Sequence, residues 1–409
     1  MPTERRYRFG ISPTVIMLGI VSFLTDVSTE AIYPLVPLFL INVLHTSGEA
    51  LGLIEGVAES TGSILRLFSG WLSDKLGSRK WITTVGYTLS SVSKPLFSFA
   101  GSWPQVLVIR FADRLGKGIR SAPRDALIAD VTPPESRGIA FGFHRALDTL
   151  GAVTGPFLAY LILRAYASGH GEIISKTIPE MFYRRIFLLS AVPALLSVAI
   201  LILFVRDQSK KSSGKDAPAI RFSGFSSEFK RFLAVTVLFS IGNSSDVFLI
   251  LRAQSVGISV LNVLLVYMLF NSVEALFSTA VGALSDKIGR KTIILVGYIV
   301  FALVYAGFGA AGNAKMVWLL FAAYGFYNAL SQGVQRAFAA DLTASNVRGT
   351  GMGAYQMLTG AALFPASLIA GILWQHNHSA PFFYGAATAV MAAILMAILL
   401  PGSPTYTDK

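Results

Sequence analysis

Acids and bases stand inside long apolar runs of this chain, where water is scarce and each charge must be answered by a partner or a cavity. In the first half the embedded acids are Asp26, Glu30, Glu55, Glu59, Asp113, Asp125 and Asp148, and the embedded bases are Arg66, Lys94, Arg110, Arg114, Lys117, Arg120, Arg124 and Arg145. The second half offers only Asp246, Arg252, Glu274 and Arg336. Seven acids beside eight bases make a nearly self-neutralising network, expected to face a mostly apolar and aromatic wall from the other half. Proton transfer is the chemistry open to such a network. Burial disfavours an ionised carboxyl and a nearby cation favours it, so a motion that makes or breaks an ion pair, with Arg114 for instance, takes up or releases a proton. The same groups are able to hold a charged solute.

The elements that carry these residues are apolar runs of about twenty residues, the length of a membrane-spanning helix. Twelve such spans are expected, near 12–43, 50–73, 81–101, 104–129, 137–166, 183–205, 231–256, 259–285, 292–312, 315–340, 349–374 and 381–401. Composition agrees: the 409 residues are 53% hydrophobic and only 14% charged, with mean hydropathy +0.60, where a soluble domain carries about 25% charge. A β-barrel is excluded because the apolar runs are unbroken rather than alternating. The formal charge of +12 would suggest nucleic acid in a soluble chain; here its placement in loops argues for orientation instead. There is no cysteine, so thiol catalysis and disulfides are excluded. The segment Met1–Phe9 precedes an apolar run without a small-residue cleavage site, which predicts a retained first span rather than a removed signal.

Helical spacing gathers the embedded charges into stripes. Asp26 and Glu30 share a face of span 1; Glu55, Glu59, Gly62 and Arg66 line one face of span 2; Arg110, Arg114, Lys117 and Arg124 line span 4, flanked by Asp113 and Arg120. At about 1.5 Å per residue, Asp26, Glu59, Arg114 and Asp148 reach mid-bilayer depth, where an ionisable side chain must face a cavity or a partner. The candidate coupling and cavity residues are therefore Asp26, Glu30, Glu55, Glu59, Arg110, Asp113, Arg114, Lys117, Arg145 and Asp148, with Asp26 and Glu59 foremost. For Arg120, Arg124 and Asp125 an internal salt-bridge role weighs as much as transport chemistry.

The chain also repeats itself. The turn from Gly70 through Asp74, Lys75, Gly77, Arg79 and Lys80 returns as Gly282, Asp286, Lys287, Gly289, Arg290 and Lys291, 212 residues later by its first glycine. Ala129-Asp130 with Arg137 returns as Ala340-Asp341 with Arg348, 211 residues later, the extra Ser78 accounting for the difference. Two related halves follow: 1–205 and 231–409, joined by a polar linker, 206–230, with an amphipathic turn around 222–232. Asp130 with Arg137, and Asp341 with Arg348, read as helix-end clamps, and the repeated turns as gating loops.

The paired G-x-L-S-D-K-x-G-(x)-R-K turns, lying after the second span of each half, resemble the signature loop of the major facilitator superfamily, and the resemblance covers nearly the whole chain. It implies an all-α membrane fold of two pseudo-symmetric six-helix bundles, with both turns on the cytoplasmic side. Span 4 is similar to the family's second signature, Arg110 preceding Gly116 and Gly118, with Asp113 and Arg114 in place of less charged residues. In span 5, Gly151-Ala152-Val153-Thr154-Gly155-Pro156 resembles the family's antiporter signature; its physics is close helix packing at Gly151 and Gly155 and a bend at Pro156.

Loop charge sets the orientation. If both termini are cytoplasmic, nineteen loop cations fall on that side and five on the other. Gly116-Lys117-Gly118 lacks the spacing and the preceding strand of a nucleotide loop. His376 and His378 are too few to make a metal site, Asn377-His378-Ser379 fits a glycosylation acceptor only if the source is eukaryotic, and His144 beside Arg145 is either a proton relay or a packing residue. The expectation is a monomeric integral protein of a bacterial inner membrane, without enzyme activity, cofactor, metal or nucleic-acid partner. It would move a small organic solute by proton-coupled antiport, in the export direction. The alternatives are a symporter importing an anionic or zwitterionic solute, or a transporter-derived sensor.

Overall fold

The computed structural model describes residues 11–76, 78–133, 136–169, 178–205, 225–343 and 348–400, and every regular element in them is helical. Nine of the expected spans are single helices: Gly48–Leu76 (span 2), Arg79–Leu96 (span 3, closed by a 3-10 turn at Phe97–Phe99), Trp103–Asp130 (span 4), Arg137–Gly169 (span 5), Val260–Ile288 (span 8), Arg290–Ala310 (span 9), Ala314–Asp341 (span 10), Arg348–His376 (span 11) and Ala380–Leu399 (span 12). Spans 1, 6 and 7 are each two helices in series. Their segments are Pro13–Ile32 and Leu35–Asn42, Glu180–Leu189 and Ala191–Phe204, and Ser227–Gly242 and Val247–Ser255.

Local chemistry accounts for these boundaries. Ser12, Ser226, Ser259 and Asn313 each turn a side-chain oxygen onto a first-turn N–H of the helix they precede, answering a donor that the helix leaves open. Pro34 has no N–H to continue span 1. Span 7 breaks at Asn243-Ser244-Ser245-Asp246, short polar side chains that compete with the helix for backbone partners. Gly289 turns span 8 into span 9 within one residue at φ 93°, a conformation open to glycine and strained for other residues.

Among the described residues, eight spans are long and apolar enough to cross a membrane on composition alone: 1, 5, 6, 7, 8, 9, 11 and 12. Spans 2, 3, 4 and 10 fall short because they carry the charges or polar side chains discussed above. The amphipathic turn expected over 222–232 is, in its described part, the first turn of span 7, beginning at Ser227. The rest of the linker, 206–224, lies outside the described residues.

By compactness the chain forms two units: Met1–Tyr33, Ile64–Ala159 and Pro179–Pro218 in one, and Pro34–Ser63, Tyr160–Ile178 and Ala219–Lys409 in the other. The first unit is built on an apolar cluster of Val15, Leu18, Val21, Tyr87, Leu127, Ile128, Val198 and Leu201. Spans 3 and 4 touch through backbone, since a Cβ on Gly116 would come within 2.6 Å of the Gly86 carbonyl oxygen. In the second unit the first half of span 2 meets span 11 in the same way. A Cβ on Gly48 would lie 2.8 Å from Gly371 O, and one on Gly56 2.9 Å from Phe364 O. Small residues allow this approach where lipid supplies no hydrophobic drive between helices.

Candidate functional site

The first unit gathers most of the embedded charge and sorts it by depth. Arg110, Asp113, Arg114 and Arg120 on span 4 are buried, and Lys94 on span 3 is fully so. Ser90 donates to Asp113 Oδ1 at 2.5 Å, and Lys94, one turn further along the same face, donates to the Thr25 carbonyl of span 1 at 3.3 Å. Lys94, Arg114 and Arg110 are the cations acting on Asp113. Arg110 and Arg114 stand over the Tyr33 ring at 5.1 and 5.9 Å, and Arg120 over Tyr87 at 4.5 Å. The ring faces are negative, which suits guanidinium groups held out of water.

Nearer to solvent lie Asp26, Glu30, Lys117 and Asp148, all half-buried. The charges acting on Asp26 are Asp148, Lys117, Glu30 and Arg120, so spans 1, 4 and 5 each contribute to one electrostatic cluster. His144 Nδ1 stands 3.6 Å from Asp148 Oδ2. His144 Nε2 and Asp148 Oδ1 are buried without a hydrogen-bond partner among the described residues. Arg124 bonds Asp125 at 2.9 Å and reaches Ser22 Oγ at 3.3 Å, whereas Arg145 is exposed.

The span 5 signature controls where Asp26 sits. A Cβ on Gly151 would come within 2.7 Å of Phe23 O and 2.9 Å of Asp26 Cβ, and one on Gly155 within 2.6 Å of Val27 O. Pro156 is buried just beyond. The two glycines therefore let span 5 lie directly on the turn of span 1 that carries the acids.

Glu55 and Glu59 belong to the second compact unit. Glu59 is half-buried. Glu55 has no exposure and accepts from Ser245 Oγ, at the break in span 7, at 3.2 Å; the Ser245 N–H reaches Ser367 Oγ of span 11 at 3.4 Å. His378 stacks on Trp374 at 4.3 Å; its burial, with Arg252 nearby, holds the imidazole below its ordinary value.

The repeated turns make matching contacts in each unit. Arg79 meets Asp130 Oδ2 at 2.5 Å and donates to Ala126 O at 2.8 Å; Arg290, 211 residues later, meets Asp341 Oδ2 at 2.7 Å and Asp286 Oδ1 at 3.2 Å. Lys80 donates to Ile202 O at 2.9 Å, in the last turn of span 6, and Lys291 to Ala397 O at 3.2 Å, in the last turn of span 12. A cation there answers open carbonyls at a helix C-terminus. Ser73 and Ser285 each bond back to Gly70 and Gly282, and Lys75 and Lys287 are exposed.

The clamp expected between Asp130 and Arg137 forms with Arg79 instead, because packing of span 3 on span 4 brings the loop arginine to the end of span 4, while Arg137 is exposed after the next turn. Asp341 is held by Arg290. Gly77 and the side chains of Asp74 and Arg348 lie outside the described residues. Sequence reasoning named Lys94 as an embedded base and left it out of the site. Its signal was the polar face Ser90, Ser91 and Lys94 of span 3, which donates to Asp113, Ala194 O and Thr25 O.

Two repeated six-span halves, with acids and bases embedded in the spans and matching Arg–Asp and Lys–carbonyl contacts at the repeated turns, define a helical membrane transporter. The chain belongs to the Major Facilitator Superfamily, whose pattern matches residues 18–367 and 232–409. It is 35% identical over 392 residues to an uncharacterised MFS-type transporter of Methanocaldococcus jannaschii, covering 94% of each chain. It is 25% identical over 191 residues to the quinolone resistance protein NorA of Staphylococcus aureus, covering 47% of this chain and 45% of NorA. In fold it is similar to a solved nucleoside transporter, NupG, with a TM-score of 0.78 at 12% identity over 95% of this chain and 100% of the other.

Proposed function

We infer that the protein is a proton-coupled secondary transporter that exports a small organic solute by alternating access, as an antiporter. The observation carrying this reading is the setting of Asp26: a half-buried carboxyl on span 1 in the field of Asp148, Glu30, Lys117 and Arg120, with the span 5 glycine Gly151 against its Cβ. A small relative motion of spans 1 and 5 changes how Asp26 is solvated and paired, and with that its affinity for a proton. Solute that competes for the same cluster is then tied to the proton gradient. Glu59, Glu30 and Asp148 are the further coupling candidates.

Export is supported by the span 5 signature and by the partial similarity to a drug-resistance protein. Burial of Arg110, Arg114 and Arg120 leaves few cations for an incoming anion and weighs against the uptake reading. We read the cation-rich loops, both termini and the linker as cytoplasmic in a bacterial inner membrane; a reporter fused at Gly214 that scored as external would reverse this.

The test is transport in proteoliposomes, with a solute identified by resistance screening of a knockout strain and quinolones as the first probes. Asp26→Asn is expected to abolish pH-driven accumulation and to retain counterflow exchange, which needs conformational cycling without net proton movement; Glu59→Gln should behave alike. Wild-type flux indifferent to the pH gradient, or both variants still responding to it, would overturn the reading.

A further inference from the structure

We propose that the groove between the end of span 3 and the start of span 6 binds the headgroup of an anionic phospholipid, with Arg185 as the phosphate-binding side chain. The groove is about 470 Å³ and is lined by Ser98, Glu180, Met181, Arg184, Arg185 and Leu188. It is independent of the transport site, and no residue of the acid–base cluster lines it.

Position in the bilayer makes the case first. Arg185 is nineteen residues from Phe204, the last residue of span 6, and Ser98 is nineteen residues from Arg79, the first of span 3. At the helical rise these separations are about 30 Å, the thickness of the hydrocarbon core. Each span thus crosses the core once between its loop end and this groove, and the groove falls at headgroup depth. The helical faces running away from it are apolar and exposed: Leu188, Leu189, Val192 and Leu195 on span 6, and Leu96 with Val92 on span 3. Acyl chains would lie along these faces, with Met181 and Leu188 as the apolar part of the groove wall.

Charge makes the second case. The groove holds two guanidinium groups and one carboxylate, a net single positive charge. Arg184 is already engaged: its Nε donates to Glu180 Oε1 at 2.6 Å, its Nη2 pairs with the same oxygen, and its Nη1 donates to the Ser98 carbonyl at the end of span 3. Those bonds tie the two helices together and hold the groove open at a set width. Arg185 is exposed, its guanidinium resting 5.8 Å from the Phe182 ring, and Phe182 is itself buried. An arginine seated on a fixed aromatic side chain at headgroup depth presents a planar donor fork suited to phosphate oxygens. Among the described residues, the second unit shows no such fork at the matching place. There Arg252 is spent on the carbonyls of Phe308, Gly309 and Ala311 at the end of span 9, and span 12 begins with Ala380-Pro381-Phe382-Phe383.

The experiment is native mass spectrometry of the purified full-length protein after exchange into mixed micelles containing equimolar phosphatidylglycerol and phosphatidylcholine. Wild type is expected to retain phosphatidylglycerol in preference to phosphatidylcholine. Arg185→Gln should lower the phosphatidylglycerol-bound fraction about fivefold, the weight of one arginine against an anionic headgroup, and Arg185→Lys should restore part of it. Arg164→Gln removes an exposed cation outside the groove and should leave retention unchanged. Equal retention of the two lipids by wild type, an unchanged fraction in Arg185→Gln, or an equal loss in Arg164→Gln would each overturn the proposal. Flux through the transport site does not enter this readout, so the proposal stands or falls separately from the transport mechanism.

Discussion

Spans 3 and 4 in the first unit and spans 9 and 10 in the second are the same construction 211 residues apart, filled with opposite chemistry. Tyr87 recurs as Tyr298, but Ser90, Lys94, Asp113, Gly116 and Arg120 are replaced by Phe301, Tyr305, Tyr324, Tyr327 and Ser331. The first set is a buried polar network in which Ser90 bonds Asp113 and Lys94 reaches span 1. The second is a stack of rings: Phe301 lies 3.9 Å from Tyr305 and 4.8 Å from Tyr327, and Tyr324 lies 5.4 Å from Tyr327. Its polar exits are a hydrogen bond from Tyr324 Oη to Asp246 at 2.7 Å and one from Asn243 to Tyr327 Oη at 3.3 Å. Rings pack favourably without desolvating charge, whereas buried ions cost free energy unless each is answered. The first unit thus gives up stability to hold buried charges, which under the proposed function would respond to protons and solute, and the second holds a ring stack whose packing does not depend on ionisation.

The comparison breaks first at its charged side. Lys94→Met takes one of three cations from buried Asp113, and Asp113→Asn takes an acid from buried Lys94; each is expected to destabilise the protein by about 3 kcal/mol, the lower end for a buried charge that loses a partner. The double substitution should return about 1–3 kcal/mol of that as coupling. On the aromatic side, Tyr324→Phe removes one hydrogen bond and should cost about 1 kcal/mol. Denaturant unfolding in a fixed detergent measures all four. Equal losses on the two sides would mean that the charged network is no more demanding than the ring stack.

The sequence carried the architecture further than it carried these pairings. The repeat and the apolar runs were enough for twelve spans, even for spans 2, 3, 4 and 10, whose composition alone would not place them in a membrane. The apolar count ran through both the break at Pro34 in span 1 and the break at the polar residues before Val247 in span 7, and neither was expected. Embedded charge marked a stretch of span 4 that the fold does bury, because its desolvation cost is a property of the residue and its depth. Which charge meets which is a property of helix rotation and packing. Asp130 meets Arg79, far away in sequence, in place of Arg137, and Lys94 joins the network only because Gly86 and Gly116 bring two helices into backbone contact.

A second way to sharpen the comparison uses the span 5 glycines of the first unit. Gly151→Ala and Gly155→Ala should each cost about 1–3 kcal/mol through overpacking against span 1. Gly151→Ala pushes on the Asp26 side chain at Cβ, whereas Gly155→Ala meets only the backbone of Val27, Glu30 and Ala31, so Gly151→Ala should alter the pH dependence of transport more. A similar change in both would detach the coupling carboxyl from the glycine seam.

The repeated loop pairs differ in burial and should differ in weight. Arg79 and Asp130 are both about one-quarter exposed, while Asp341, the partner of Arg290, is more than half exposed. Double-mutant cycles are expected to give up to about 1 kcal/mol for Arg79–Asp130 and a few tenths for Arg290–Asp341. The reverse order would show that the second loop, not the first, is the tighter clamp.

The smallest effect belongs to the first residue of the repeated turn. A Cβ on Gly70 would sit 3.3 Å from Ala122 Cβ of span 4, while one on Gly282 would have no neighbour within 4 Å. Both glycines are inside helices, where alanine is favoured over glycine by up to about 1 kcal/mol. Gly282→Ala should therefore leave stability unchanged or raise it within that limit, whereas at Gly70 the helix gain is offset by a contact that Ala122 must yield to. If Gly282→Ala keeps full stability and full flux, the glycine in the second copy serves no packing role, and the likeness of the two turns lies in the Arg–Asp and Lys–carbonyl contacts. If it keeps stability but loses flux, Gly282 meets a neighbour in some other conformation, and the two turns are equivalent over the transport cycle though unequal here. A loss of stability comparable to that of Gly70→Ala would contradict the open surroundings of Gly282 and remove the distinction altogether.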